Sequence, residues 1–129
     1  MKTFITTKAY SETFRIQART GWGCGYVHIP KDHPFLVQLS QQNDSYFYLS
    51  PENCPEEITF SEWDCDNKDY YIIGFDTAHS WNDDSQDKEY VTLKANEIKD
   101  LVDNYTIEDA KQFAIEEIEL FKEKFNKYL

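Results

Sequence analysis

The sequence predicts an α+β domain: a small antiparallel sheet of about four to five strands, with C-terminal helices packed on one face. Short alternating or β-branched apolar runs dominate up to about residue 76, and apolar residues recur with a helical period towards the C-terminus. Strands that come first and helices that come last favour this arrangement. The 129 residues, 40% apolar and 16% aromatic, are enough for one domain with a packed core.

The strand predictions begin with a hairpin. Residues 13–19 alternate apolar and polar side chains, as a half-buried strand does. Residues 26–29 form the returning strand, which Pro30 ends, so the glycine-rich residues 21–25 are predicted to be the turn. Between residues 31 and 55 the sequence predicts a loop with a short helical turn or strand, at the apolar patches 35–39 and 46–49.

Two further strands are predicted before the helices. Residues 57–64 alternate again, and residues 70–76 form the most apolar run of the chain. The length of this second run and its β-branched and aromatic content predict a central strand. Residues 80–88 are polar and predict a loop.

The C-terminal third predicts two helices. Thr106 is a suitable N-cap, and apolar residues at helical spacing predict a helix over residues 107–127. A shorter helix is predicted over residues 94–104, and residues 90–93 are either a last strand or the beginning of that helix. All of this fits one domain over residues 1–129, with a helical insertion at about 92–112.

The charge restricts the possible partners. The chain has 24 acidic and 13 basic residues, a net charge of −11. Such a surface repels phosphate backbones and anionic lipids, which disfavours nucleic-acid duplexes and membranes as partners. Cations, neutral ligands, basic proteins and anionic ligands held in a local pocket remain open.

The cysteines and the apolar runs predict a cytoplasmic protein. The three cysteines, Cys24, Cys54 and Cys65, have no spacing typical of a disulfide framework, so reduced thiols are expected. No apolar run approaches the roughly 20 residues of a membrane helix, and the first residues lack the apolar core of a signal peptide.

Two clusters carry the residues suited to chemistry. The first runs from Cys24 to His33, and the second is the segment 74–79, at the end of the strongest predicted strand. In a turn after that strand, Asp76 can orient the imidazole of His79 and leave its other nitrogen free as a base or ligand. If the hairpin lies beside this strand, His33 joins them in a metal or acid–base triad. Alternatively, Asp76 caps the turn by bonding backbone amides, and His79 is an ordinary surface residue.

The other polar and aromatic residues of these clusters have two interpretations each. Cys24 is either a nucleophile activated by an imidazole or a small buried residue between glycines. His28 alternates with apolar neighbours and is expected on a face of the sheet. Trp22 and Trp81 flank the clusters, and each either stacks on a flat ligand or is simply a large loop residue.

The two motifs together resemble a family of small proteins encoded by phages and integrated phage-like elements. The residues that carry the resemblance are Cys24-Gly25-Tyr26-Val27, Pro30 and His33-Pro34, followed by Gly74-Phe75-Asp76, Ala78-His79 and Asp83. The resemblance covers roughly residues 13–83 and part of the last helix. It implies that Cys24, His33, Asp76 and His79 share one constellation, and it suggests a phage setting, in the cytoplasm of a host cell. By analogy with other small phage accessory proteins, such a protein acts on host defence by sequestering a nucleotide signal or by blocking a defence protein. The resemblance implies no particular activity.

The leading hypothesis is therefore a non-enzymatic phage accessory protein that binds a small polar or nucleotide-like ligand and needs no cofactor. One alternative is a metal-assisted hydrolase, with a divalent metal on His33, Asp76 and His79. Another is an acidic inhibitor that binds a host protein. The predicted ligand-binding residues are Trp22, Cys24, Tyr26, His33, Asp76, His79 and Trp81.

Overall fold

A computed structural model describes residues 1–38 and 54–128 and confirms the α+β fold. The strands are β1 (Phe4–Ala9), β2 (Gly23–Pro30), β3 (Phe60–Trp63) and β4 (Tyr70–Phe75). The α-helices are α1 (Glu12–Ala18), α2 (Lys88–Asp103) and α3 (Ile107–Asn126), and Pro34–Gln38 form a 3₁₀ helix.

The four strands form one antiparallel sheet in the order β1-β2-β4-β3. The register of the two central strands pairs Gly25 with Phe75 at one end and Pro30 with Tyr70 at the other. The prediction of a central strand at residues 70–76 is thereby confirmed. These two ends lie roughly 17 Å apart, because an antiparallel strand rises about 3.4 Å per residue.

The predicted strand at residues 13–19 is wrong, because these residues form helix α1. Ser11 is its N-cap, and the Ser11 side chain accepts a hydrogen bond of 3.1 Å from the Phe14 amide. None of the helical residues is buried, so their alternation does not reflect burial on a sheet. β2 therefore pairs with β1, a strand the sequence analysis did not predict.

The glycine-rich segment is not a hairpin turn. Gly23 and Gly25 lie within β2, and no glycine in the described part of the chain has a positive φ. Glycine is needed for close packing instead: a Cβ atom on Gly25 would lie 2.6 Å from a ring carbon of Phe75. The segment brings β2 against its neighbours and does not reverse the chain.

The remaining element predictions are largely confirmed. β3 lies inside the predicted strand 57–64, the loop at 80–88 precedes α2, and α3 matches the predicted helix 107–127. Residues 90–93 lie in the first turns of α2, which begins at Lys88 after its N-cap Asp87, so the helix predicted over 94–104 is six residues longer at its N-terminus. The helical turn predicted at the patch 35–39 is the 3₁₀ helix Pro34–Gln38, whereas residue 39 and the patch at 46–49 lie outside the described residues.

The core lies between the sheet and α2, which packs on β2 and β1, while α3 packs against the 3₁₀ helix and has no buried residue. Part of the insertion predicted at about 92–112 thus belongs to the core. No helix in the described ranges has the length and apolar character needed to cross a membrane. The buried apolar residues are Val27, Ile29, Phe35, Leu36, Tyr71, Ile73, Phe75, Val91, Ala95, Ile98 and Val102.

Candidate functional site

The two sequence motifs meet at the Gly25–Phe75 end of the sheet, and buried Thr77 joins them. The Thr77 hydroxyl donates a 2.7 Å hydrogen bond to the carbonyl oxygen of Gly23 and accepts one of 3.2 Å from the Gly23 amide. The Thr77 carbonyl accepts a further hydrogen bond of 2.7 Å from the Gly21 amide. The backbone after β4 is thus held against the beginning of β2.

A cluster of ionisable side chains lies beside this junction, on the sheet face opposite α2. The Tyr10 hydroxyl accepts hydrogen bonds from the Thr77 amide, at 3.1 Å, and from the Cys24 thiol, at 3.4 Å. Burial, assisted by Cys24, raises the pKa of Tyr10 and raises that of Tyr26 to about 12. The negative charge of Asp76 adds to both shifts. Both phenols therefore stay protonated at neutral pH and are available as hydrogen-bond donors.

Asp76 and His79 form a close pair in the turn after β4. His79 Nε2 lies 3.2 Å from Asp76 Oδ1, and His79 Nδ1 lies 3.0 Å from Asn82 Oδ1. The same Asn82 oxygen accepts the His79 amide at 2.9 Å, so Asn82 caps this turn. Asp76 Oδ1 is buried and makes no hydrogen bond with proper geometry among the described residues. The imidazole is therefore held in place by Asn82, with Nε2 facing a carboxylate oxygen.

Trp81 extends this pair towards solvent. Its ring stacks on the His79 ring, with centroids 4.4 Å apart and planes 4° from parallel. The residue is 68% exposed. A large aromatic face fixed on a turn is a surface on which a planar ligand can stack.

His33 lies at the other end of the sheet, so the predicted triad of His33, Asp76 and His79 is wrong. Neighbouring antiparallel strands end at opposite edges, and His33 follows β2 whereas Asp76 follows β4. At about 3.4 Å per residue, the two sites are roughly 20 Å apart. The His33 ring instead accepts the Phe35 amide on Nδ1 at 3.0 Å, and burial lowers its pKa.

The metal hypothesis loses its third ligand with His33. In the described ranges, the one group of three ligand atoms that lie together is Asp64, Cys65 and Asp66, in the turn after β3. Asp76 and His79 are thus two ligands, and a zinc site takes three or four from the protein. The residues present do not assemble the predicted metal site.

The other predicted residues are placed as follows. Cys24 meets the phenol of Tyr10 rather than an imidazole, so the activation proposed for a nucleophile is not seen among the described contacts. Trp22 is half-buried against the core, and its amide donates to the Gln86 carbonyl. His28 lies on a sheet face as expected, stacked on Phe4 at 4.3 Å.

A cleft that sequence analysis missed lies beside this region. Its volume is about 430 Å³, and it is formed by α1, the residues after it and the loop before α2. The chain has only two arginines, Arg15 and Arg19, and both line this cleft. The sequence signal for this cleft is that the two arginines of an acidic chain lie only four residues apart. The lining residues are Glu12, Arg15, Ile16, Arg19, Thr20, Asp83 and Asp84.

The two arginines differ from ordinary surface arginines. Arg15 Nε is buried and has no hydrogen-bond partner in the described part of the protein. An Arg15 Nη atom lies 3.8 Å from Asp84 Oδ1, but the Asp84 side chain is 98% exposed, so this pair is weak. Arg19 ends α1 in the left-handed conformation, with φ 51° and ψ 54°.

The loop before α2 connects the cleft to the aromatic surface. Trp81 precedes Asp83, a lining residue, by two positions. Gln86 Oε1 accepts hydrogen bonds from the Asp83 amide, at 2.8 Å, and from Asn82 Nδ2, at 3.3 Å. Cleft and stacked rings thus share one hydrogen-bonded loop.

Comparison of the chain with protein-family models, curated proteins and solved structures finds no match.

Proposed function

We propose that the protein binds a small nucleotide-like ligand, with an anionic group and a planar ring, and does not transform it. The observation that carries the proposal is the convergence of both arginines of a strongly acidic chain on one cleft. A chain with a net charge of −11 has little general affinity for anions, and the cleft also holds Glu12, Asp83 and Asp84, so an anion would bind only where it meets both guanidiniums directly.

The anionic group of the ligand binds to the arginines. A guanidinium presents its N–H groups in a planar fork that matches a phosphate or carboxylate. The Arg15 side chain is 31% exposed, and its only ion pair among the described residues, at 3.8 Å with the exposed Asp84, is weak, so a ligand oxygen can replace that partner. The acidic residues Asp83 and Asp84 at the same cleft accept hydrogen bonds from ligand hydroxyl or amino groups.

The backbone of Arg19 supports a role in binding. A non-glycine residue in the left-handed region costs roughly 1–2 kcal/mol, and glycine is the usual residue at such a helix end. Strained residues concentrate at functional sites. An arginine at a position where glycine would cost less therefore supports a binding role for its side chain in the cleft.

The ring of the ligand stacks on Trp81. The Trp81 face is exposed and is fixed by His79 behind it, which lowers the entropic cost of ordering it. A cleft of about 430 Å³ lies within the usual range for small-molecule sites. The resemblance to phage-encoded proteins suggests what such a binder does in a host cell: it sequesters a nucleotide signal of host defence.

Calorimetric titration tests the proposal, with inorganic phosphate, nucleoside monophosphates and cyclic dinucleotides as probes. We expect a nucleotide to bind with a Kd of about 10–100 μM or tighter. Trp81→Ala should weaken the nucleotide at least tenfold and leave phosphate binding unchanged, whereas Arg15→Gln should weaken both. Absence of binding by every probe, or a Trp81→Ala variant that binds nucleotide as the wild type does, would refute it.

A further inference from the structure

The C-terminal half of α3 carries an apolar stripe that nothing in the described fold covers. Ala110, Phe113 and Ala114, in its N-terminal half, are half-buried where α3 packs against the 3₁₀ helix. From Ile115 to Tyr128, every residue is exposed. Phe121 is 69% exposed and Tyr128 is 88% exposed. The exposed stripe consists of Ile118, Phe121 and Phe125 on α3 and of Tyr128 just after its end, and the half-buried Ala114 lies on the same face one turn before Ile118.

The spacing of the stripe is that of a helix that packs on another helix. Ala114, Ile118, Phe121 and Phe125 are separated by three or four residues, so they share one face of α3 over about three turns, and Tyr128 follows at the same spacing. Helices in proteins are stabilised mainly by packing of such a face. A partner for this face is therefore expected, and its chemistry can be deduced from the charges that flank the stripe.

The charges of α3 are segregated along its length. Residues 107–119 contain five acidic residues and one lysine, whereas residues 120–128 contain three lysines and one acidic residue. Two copies of this helix placed antiparallel bring the acidic part of each beside the basic part of the other. Two parallel copies would instead place the two acidic parts side by side.

We propose that α3 pairs with α3 of a second copy of the chain, antiparallel and about a two-fold axis near Phe121. Glu117 and Lys124 are seven residues apart and flank the stripe on one side. In this register Glu117 lies beside the partner's Lys124, and the symmetry of the pair forms the same contact twice. Ala114 receives the partner's Tyr128, a small residue opposite a large one.

The surface is large enough for a specific interface. The exposed parts of Ile118, Phe121, Phe125 and Tyr128 from both copies amount to on the order of 1,000 Å², since an aromatic side chain can bury 150–250 Å². This value is near the lower limit for stable protein–protein interfaces. The lysine stems add apolar cover along the edge of the stripe. The resulting dimer does not depend on the proposed ligand.

Sedimentation equilibrium of the full chain tests the pairing. We expect a dimer with a dissociation constant of about 10 μM or tighter. The double variant Phe121→Glu with Phe125→Glu should weaken it at least tenfold and keep the melting temperature of the monomer, because both residues are exposed. Leu93→Glu, at an exposed apolar residue of α2, is the matched control and should leave the dimer intact. A wild-type monomer at about 100 μM, or a double variant that dimerises normally, would overturn the proposal.

Charge reversal tests the orientation. Glu117→Lys alone should weaken the dimer severalfold, since it places two positive charges together. Adding Lys124→Glu to the same chain should restore the affinity, because each pair is then reversed but complementary. In a parallel pair, the double reversal would instead leave the positive charge introduced at position 117 beside the partner's Lys122, and no restoration would follow. Failure to restore would refute the antiparallel arrangement.

Discussion

The hydroxyl of Thr77 and the backbone of Gly23 bond to one another in both directions, at 2.7 Å to the carbonyl oxygen and 3.2 Å from the amide. This contact joins the glycine-rich segment to the segment after β4. It also fixes the backbone from which Asp76 and His79 project. The two motifs of the sequence therefore form one structural unit, although they do not form the triad that their side chains suggested.

Thr77→Val should lower the free energy of unfolding by about 1–3 kcal/mol, because it leaves buried Gly23 groups without their partner. Urea denaturation measures the change. Thr77→Ser keeps the hydroxyl and should lose only about 1 kcal/mol, the contribution of a buried methyl group. A Thr77→Val variant within about 0.5 kcal/mol of wild type would show that this junction does not stabilise the fold.

Arg19→Gly should raise stability and weaken ligand binding together. Glycine adopts the left-handed conformation of residue 19 without strain, so the free energy of unfolding should rise by about 0.5–1 kcal/mol. Loss of the guanidinium should weaken nucleotide binding at least tenfold. The control is Ala18→Gly, one residue earlier in an ordinary helical position, which should destabilise by up to about 1 kcal/mol. Urea denaturation of both variants measures the stability, and calorimetry measures the nucleotide affinity. An Arg19→Gly variant that is less stable than the wild type would contradict the assignment of backbone strain to Arg19.

Stability should fall as the pH drops below about 6.5. Burial lowers the pKa of both His28 and His33 in the folded protein. The unfolded chain therefore takes up protons first, and stability present above about pH 6.5 is lost as the pH falls towards the folded-state values. Protonation also removes the acceptor on His33 that binds the Phe35 amide.

Denaturant titrations at several pH values between about 7.5 and 5 check this. The double variant His28→Gln with His33→Gln should lose most of the pH dependence. Equal slopes in the wild type and the double variant would assign the effect to other groups.

The elements with the strongest local signals could be predicted from the sequence. β4 has a continuous apolar, β-branched run, and α3 has both a helical period and a capping residue, Thr106. α1 could not be assigned by alternation, because two helical turns contain too few residues to distinguish its period from that of a strand. The N-cap Ser11 was the better signal. In β1, the β-branched residues Ile5, Thr6 and Thr7 are typical of a strand.

The geometry of the candidate site depends on the pairing of strands, which a single sequence does not specify. That Thr77 meets Gly23 follows from pairing of β2 with β4, which are about 40 residues apart in the chain. The separation of His33 from Asp76 could have been deduced, since residues that follow neighbouring antiparallel strands lie at opposite edges. The arginine cleft depended on recognising α1 as a helix, because only then does the spacing of Arg15 and Arg19 place both on neighbouring turns.

The most direct test of the ligand-binding account is calorimetric titration of adenosine monophosphate into three proteins. These are the wild type, the double variant Arg15→Gln with Arg19→Gln, and the charge-matched double variant Lys31→Gln with Lys68→Gln, whose lysines lie outside the cleft. We predict a Kd of about 10–100 μM for the wild type, a change of less than about twofold in the lysine variant, and at least tenfold weaker binding in the arginine variant. Equal weakening in both variants would show that the arginines act only through net charge, and no heat of binding by the wild type with adenosine monophosphate or with any cyclic dinucleotide would contradict the account.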